Sequence, residues 1–310
     1  MIDAPAIRTH ELAKRYGSIT ALAGLTMTIP RGDVFGFLGP NGAGKTTAVK
    51  LLLGLTPPTS GDAEVLGAAI GDREALRRVG YLPELFRYQL WLTAREVLAL
   101  HCELAGIDRA AWQREIEDAL AIVGLSDRGS GRVGTFSKGM QQRLGLGVAL
   151  LGAPDLVVLD EPTSALDPVG RHDVREIIRA LGERGTTVFL NSHLLTEVER
   201  VCDRVAIVDH GKVVEEGRLV EVLGDPGVRV LVAGLGPAAF ATLEHQFGPL
   251  RRDGDWLAAE PFDPSRVPDL VAAIVSAGGR VHEVDAGRRS LEERFLALLS
   301  RSRDGVDRTP

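Results

Sequence analysis

Gly39-Pro40-Asn41-Gly42-Ala43-Gly44-Lys45-Thr46-Thr47 constrains this chain more than any other stretch. Two glycines bracket four residues and are followed by Lys and Thr, the pattern of a phosphate-binding loop. Its surroundings agree. Val34–Leu38 is a short apolar run that reads as a buried strand, and the spacing of Val49, Leu51, Leu52, Leu53 and Leu55 predicts a helix over Thr46–Leu55. Strand, loop and helix in that order aim successive backbone N–H groups and the positive end of a helix at one anion. Lys45 is then expected to reach the outer phosphates, and the Thr46 hydroxyl to ligate Mg²⁺.

A chain of 310 residues exceeds the usual size of one domain. A formal net charge of −6 argues against general nucleic-acid binding. Cys102 and Cys202 form no close-spaced pair, which fits two reduced thiols. No apolar run approaches the roughly 20 residues of a membrane-spanning helix, so the expected location is cytoplasmic.

Residues 6–30 alternate as strands, with turns at Gly17-Ser18 and Pro30–Asp33. Tyr16 precedes the first turn, where an aromatic ring either stacks on a purine or packs beneath a hairpin. A helix is expected over 72–79 and a strand over Val79–Leu82, ending at Pro83-Glu84. Periodicity predicts helices over 93–106 and 109–124, with Thr93 and Glu96 as a capping box. Phe136-Ser137-Lys138-Gly139-Met140 opens another helix through Leu151. Ser137 is placed to cap it, and its exposed N-terminus is either ordinary or a second anion site.

Leu156–Leu159 reads as a central parallel strand delivering Asp160 and Glu161. Ligands bind beyond the carboxyl ends of such strands. One acid suits Mg²⁺ and the other an attacking water. Ser164–Asp167 and a helix over 169–184 follow. Thr187–Leu190 is a second buried strand and delivers His193, a structural residue or a γ-phosphate contact. Val205–Val208 and Val213–Glu215 read as a hairpin.

Composition shifts at Gly224–Gly227. Strands at 228–233, 249–252, 256–259 and 280–284 alternate with helices at 237–246 and 265–277, and a last helix covers 290–300. That order, βαββαβ, predicts a small ferredoxin-like α+β domain. The tail from Arg303 is polar and expected to fray.

Taken together, the ordered motifs of residues 6–217 resemble the nucleotide-binding subunit of ATP-binding cassette (ABC) transporters. Gly39–Thr46 resembles the Walker A loop, and Leu156–Glu161 resembles Walker B with its catalytic glutamate. Phe136–Met140 is similar to the family signature, Ser164–Asp167 to the D-loop with Asp167, His193 to the switch histidine, and Tyr16 to the adenine-stacking aromatic. Two positions depart from the usual pattern. Lys138 and Met140 replace a glycine and a glutamine of the signature, and Glu84 stands where the family carries its Q-loop glutamine. Both variants resemble the ABC-2 branch, which includes drug exporters.

The resemblance implies a RecA-like phosphate-loop core, an antiparallel β subdomain and a helical subdomain at about 85–152. The expected domains are therefore 1–224, an accessory domain at 225–302 and a flexible tail at 303–310. It further implies ATP and Mg²⁺ as ligands, with Thr46, Asp160 and Glu84 near the metal and Glu161 and His193 as catalytic residues. The implied partners are a second nucleotide-binding subunit, identical or not, and integral membrane permease subunits that hold the chain at the cytoplasmic membrane face. Ser137, Lys138, Gly139 and Met140 would then contact ATP held by the other subunit. A non-transport cassette acting on ribosomes or DNA is the alternative. Against it, this chain carries one cassette and lacks a long heptad insertion.

Overall fold

The computed structural model describes residues 4–164, 166–288 and 290–306. Strand β1 (Ile7–Tyr16) pairs antiparallel with β2 (Ile19–Ile29), with Ile7 opposite Ile29 and Tyr16 opposite Ile19. Strand β3 (Val34–Leu38) is buried at every position, as a strand covered on both faces must be. The glycine-rich loop follows, and α1 (Lys45–Leu52) begins at its end. This helix is shorter than the periodicity predicts. Gly54 adopts φ +66°, Gly54 N–H donates to the Leu51 carbonyl and Leu55 N–H to the Lys50 carbonyl, which closes the helix in a Schellman motif.

Strands β4 (Ser60–Val65) and β5 (Ala68–Ala69) precede α2 (Arg73–Leu76), a single turn capped by Asp72 where sequence suggests a helix to 79. Strand β6 (Val79–Leu82) claims the end of that range. Helices α3 (Ala94–Leu104), α4 (Trp112–Ile122) and α5 (Lys138–Ala149) pack on one another, within the expected helical region. The Thr93–Glu96 capping box is formed. Then come β7 (Leu156–Asp160), α6 (Pro168–Glu183), β8 (Thr187–Asn191), α7 (Leu195–Val201), β9 (Arg204–Asp209), β10 (Lys212–Arg218) and the short α8 (Leu219–Val222). His210 and Gly211, both at positive φ, turn β9 into β10, as a two-residue hairpin loop requires.

Among the described residues of this region, the strands form two sheets. One is antiparallel, in the order β2-β1-β4-β5. The other runs β10-β9-β3-β8-β7-β6, parallel from β9 to β6 with β10 antiparallel at its edge. Phe35, Phe37 and Phe189 pack their rings together in the core beneath it. The parallel register sets Asp160 beside Asn191, so the carboxyl ends of β7 and β8 open at the same level.

The chain divides into two compact units. One runs to Leu219 and includes the chain from Leu298; the other spans Val220–Ala297. The division precedes the composition shift at Gly224. The second unit holds β11 (Gly227–Ala233), α9 (Pro237–Phe247), β12 (Arg251–Asp253), β13 (Trp256–Ala259), α10 (Val267–Ser276) and β14 (Arg280–Gly287). Its sheet order is β12-β13-β11-β14, with every pair antiparallel, which is the ferredoxin-like arrangement. Val230, Val232, Phe247, Leu257 and Ile274 fill its own core.

The final helix, α11 (Leu291–Val306), continues past the predicted end at 300 and through Arg303, where fraying was expected. No proline interrupts it. A capping box that the sequence reading overlooked starts it: Ser290 N–H donates to Glu293, and Glu293 N–H donates to the Ser290 hydroxyl. Leu291, Leu298 and Leu299 of its apolar stripe are buried within the chain. Residues 307–310 of the expected tail lie outside the described residues.

Candidate active site

The glycine-rich loop spans the gap between β3 and α1 at the carboxyl end of the parallel sheet. Gly44, the residue before α1, has φ +98°, and a Cβ there would stand 2.3 Å from the Ala21 carbonyl oxygen. Only glycine satisfies both conditions. A cavity of about 550 Å³ opens over the loop, lined by Asn41, Gly42, Gly44, Lys45, Thr46 and Thr47. Glu84, Asp160, Glu161, Asn191 and His193 complete its polar wall, and Ile19–Ala21 of β2 contribute from the antiparallel sheet.

Lys45 is buried and donates to the loop's own Gly39 and Pro40 carbonyls at 2.7 and 3.2 Å. Burial pulls its pKa down, and Glu161, Asp160 and Glu84 oppose that shift. Asp160 is buried, which pushes its carboxyl pKa up; a hydrogen bond from Asn191 works against this, while Glu84 and Glu161 add to it. The Asn191 amide reaches Asp160 Oδ1 at 2.5 Å, and its own Oδ1 is buried with no protein partner.

Glu161 lies just beyond β7 at φ +51°, a region that non-glycine residues seldom occupy and that clusters at functional sites. Its N–H donates to the Asn191 carbonyl, and its carboxylate meets His193 Nδ1 at 2.7 Å. The two candidate catalytic residues, delivered by neighbouring strands, thus touch each other. His193 keeps half its side chain exposed toward the cavity mouth.

The donor set suits Mg²⁺. Among the described residues no three His, Cys, Asp or Glu side chains form a protein-only cage. Mg²⁺ instead takes one or two carboxylates together with substrate phosphates, and it favours oxygen donors. Asp160, Glu84 and Thr46 are all-oxygen and line one cavity; burial chiefly raises the Asp160 pKa, and Glu84 and Glu161 add to it with negative charge that a cation would relieve.

Other candidates sit elsewhere. Tyr16 ends β1 as an exposed residue, with Lys14 Nζ 5.1 Å from its ring centroid, so it does not pack beneath the hairpin. It is not among the residues lining the phosphate cavity. Ser137 caps α5, accepting from Met140 N–H at 3.2 Å; it and Lys138 are exposed, and Gly139 and Met140 partly so. None of these four lines the phosphate cavity. A Cβ on Gly139 would meet nothing of its own chain closer than 3.9 Å. Asp167 caps α6 through Gly170 N–H at 2.8 Å, while Ala165 within the same motif lies outside the described residues.

Sequence reasoning passed over Asn191 and Ile19–Ala21. The signal for Asn191 was available, a polar residue closing an apolar strand one strand away from Asp160. Ile19–Ala21 gave none, because they reach the cavity only through pairing of the antiparallel sheet.

A strand, phosphate loop and helix facing acids across a parallel sheet define a phosphate-loop nucleoside triphosphatase. The ABC transporter family model matches residues 22–164. The bacitracin transport ATP-binding protein of Bacillus licheniformis is 44% identical, over 68% of this chain and 69% of that protein. The daunorubicin/doxorubicin resistance ATP-binding protein of Streptomyces peucetius is 35% identical, over 96% of this chain and 94% of that one. A solved ATP-binding subunit of an ABC transporter superimposes with a TM-score of 0.63 at 30% identity, covering 70% of this chain and 91% of its own. This chain belongs to the ABC transporter ATP-binding proteins, and it is an ATPase subunit that works in transport. Among the described residues no helix is long and apolar enough to cross a membrane.

Proposed function

We propose that this chain hydrolyses ATP as one half of a head-to-tail pair and drives export through separate membrane subunits. Convergence of Lys45, Asp160, Glu161 and His193 on one cavity, from three separate segments, carries the reading. The loop amides of Asn41–Thr47 receive the phosphates, and Lys45 moves from its own loop carbonyls to the outer phosphates. Mg²⁺, when bound, neutralises phosphate oxygen charge; Thr46, Asp160 and Glu84 would hold it. Asn191 keeps Asp160 oriented. Glu161 takes a proton from the attacking water while the bond between the γ-phosphorus and its bridging oxygen breaks. His193 holds Glu161 and faces the γ-phosphate.

Ser137 and the amides near Gly139 do not line this cavity, and a Cβ on Gly139 would meet Leu166 and Ser137 only at an ordinary contact distance of 3.9 Å, so its own chain does not crowd this helix end. Both facts support delivery of that helix end to ATP held by a second copy, with Tyr16 stacking on the adenine. The names of the bacitracin and daunorubicin/doxorubicin relatives support export as the direction.

The test is Glu161→Gln. An amide cannot accept the proton, so turnover is expected to fall at least about 10²-fold. ATP binding is retained, and Mg-ATP should convert the variant to a dimer in size-exclusion chromatography. Turnover at the wild-type rate would remove Glu161 as the base.

A further inference from the structure

Strand β14 is an open sheet edge. It pairs on one side with β11, from Gly227 opposite Gly287 to Ala233 opposite Arg280, and no described strand lies beyond it. Apart from Val281 and Gly287 its residues are exposed, Val284 at 41%. No loop or turn backbone group of the described residues bonds to it. The opposite edge, β12, is three residues long, whereas β14 has eight and contains neither Pro nor Lys. Short edges, proline, lysine and bulges are devices by which proteins prevent edge pairing; β14 is long and has neither Pro nor Lys, and its bulge falls at His282, which has no partner on β11.

Its sequence is its own antiparallel complement. Laid against itself with the two-fold axis between His282 and Glu283, Arg280 faces Asp285 of the second copy, Val281 faces Val284 and His282 faces Glu283, each pair occurring twice. The bulge at His282 puts Val281 and Val284 on one face despite their odd spacing, and with it the side-chain faces agree with this register. Val281 and Val284 sit opposite Val232 and Val230 of β11, which point into the core under the helices. Arg280 and Asp285 sit opposite Ala233 and Arg229, on the other face. A slip of one residue would set Glu283 against Glu283, and a slip of two would set Glu283 against Val284, which lies on the opposite face.

We propose that two copies of this chain associate through β14, edge to edge and antiparallel, joining their four-stranded sheets across a two-fold axis. The contact is isologous and uses main-chain hydrogen bonds for affinity, with the alternating side chains fixing register. It needs no nucleotide and does not rest on the head-to-tail reading above. Its consequence for that reading is that the two ATPase units stay tethered after ATP is spent, so that re-engagement is governed by effective concentration.

The test uses the full chain, free of nucleotide and in EDTA, by sedimentation equilibrium. The wild type is expected to show a reversible monomer–dimer equilibrium. Arg280→Asp places two like-charge pairs in the contact and should weaken it about ten-fold; adding Asp285→Arg should recover most of that loss. Because Asp285 also faces Arg229 within the sheet, a second measurement stands apart from the swap. Val281→Cys with Val284→Cys should cross-link two chains under mild oxidation, while either single variant should not, since neither residue faces itself. A wild type that stays monomeric at every concentration, or a double cysteine variant that cross-links no more than the singles, overturns the proposal. If Glu161→Gln still dimerises with Mg-ATP in that case, the ATP-dependent pairing stands and the edge contact alone has failed.

Discussion

On the proposed role of Asp160, chemistry and stability pull in opposite directions on one side chain. It is buried beside Glu161 and Glu84, with its pKa raised, and its nearest relief is one amide from Asn191. A raised pKa means that the folded state holds its proton to higher pH than the unfolded chain does. The carboxylate therefore costs stability as pH rises through that folded value. Asp160→Asn keeps an acceptor for Asn191 and removes the charge. In EDTA the variant is expected to be more stable than the wild type by about 1 kcal/mol at neutral pH, with the advantage shrinking in acid, while ATP turnover is lost. Urea unfolding at two pH values checks the first part, and a variant less stable than wild type at neutral pH contradicts it. Glu84 is exposed at the rim of the same cavity. Glu84→Gln keeps the reach and removes a charge, so turnover should change little, whereas Glu84→Ala should lose about ten-fold and need more Mg²⁺. Equal, full activity of both variants across a Mg²⁺ titration would leave Glu84 without a role.

At the scale of elements, Ser137 and Thr93 make a matched pair. Each caps a helix of the same packed group, accepting from the N–H three residues on. Thr93→Ala and Ser137→Ala should each cost about 1 kcal/mol in denaturant unfolding. Only Ser137→Ala should also reduce ATP turnover at saturating ATP, because only that helix end is proposed to meet nucleotide; equal turnover in the two variants would reduce Ser137 to a cap. The same elements show what the sequence could reveal. The phosphate loop, the buried strands around Phe35, Val158 and Phe189, and the Thr93 capping box were readable because local spacing encodes them. The end of α1 was misplaced because leucine periodicity continues through Leu55 while Gly54 closes the helix through backbone bonds. The early stop of α2 reflects competition with β6, whose parallel pairing with β7 is non-local. The Glu161–His193 contact and the left-handed backbone at Glu161 depend on β7 and β8 lying side by side, which motif order does not state.

For the whole molecule, the boundary that composition suggests is not the one the structure draws. Composition shifts at Gly224, yet the compact units divide at Leu219, and the chain from Leu298 groups with the ATPase unit. A chain ended at Leu223 would thus remove a piece of that unit, including buried Leu298 and Leu299, together with the ferredoxin-like unit. Burial of a leucine is worth about 1.5–3 kcal/mol, so the shortened chain is expected to be less stable before any question of regulation arises. Arg280→Asp in the full chain separates the two effects, since it leaves both leucines in place and alters only the β14 edge. If ATP hydrolysis needs two copies, specific activity rises with protein concentration until the pair saturates. A tether through β14 should shift that rise to lower concentration in the wild type than in Arg280→Asp, with the same plateau for both. The chain ended at Leu223 should also rise late and should in addition unfold at lower denaturant. ATPase activity measured against protein concentration for all three decides the point. Superimposed curves for wild type and Arg280→Asp would mean that the C-terminal unit does not govern pairing of the ATPase units.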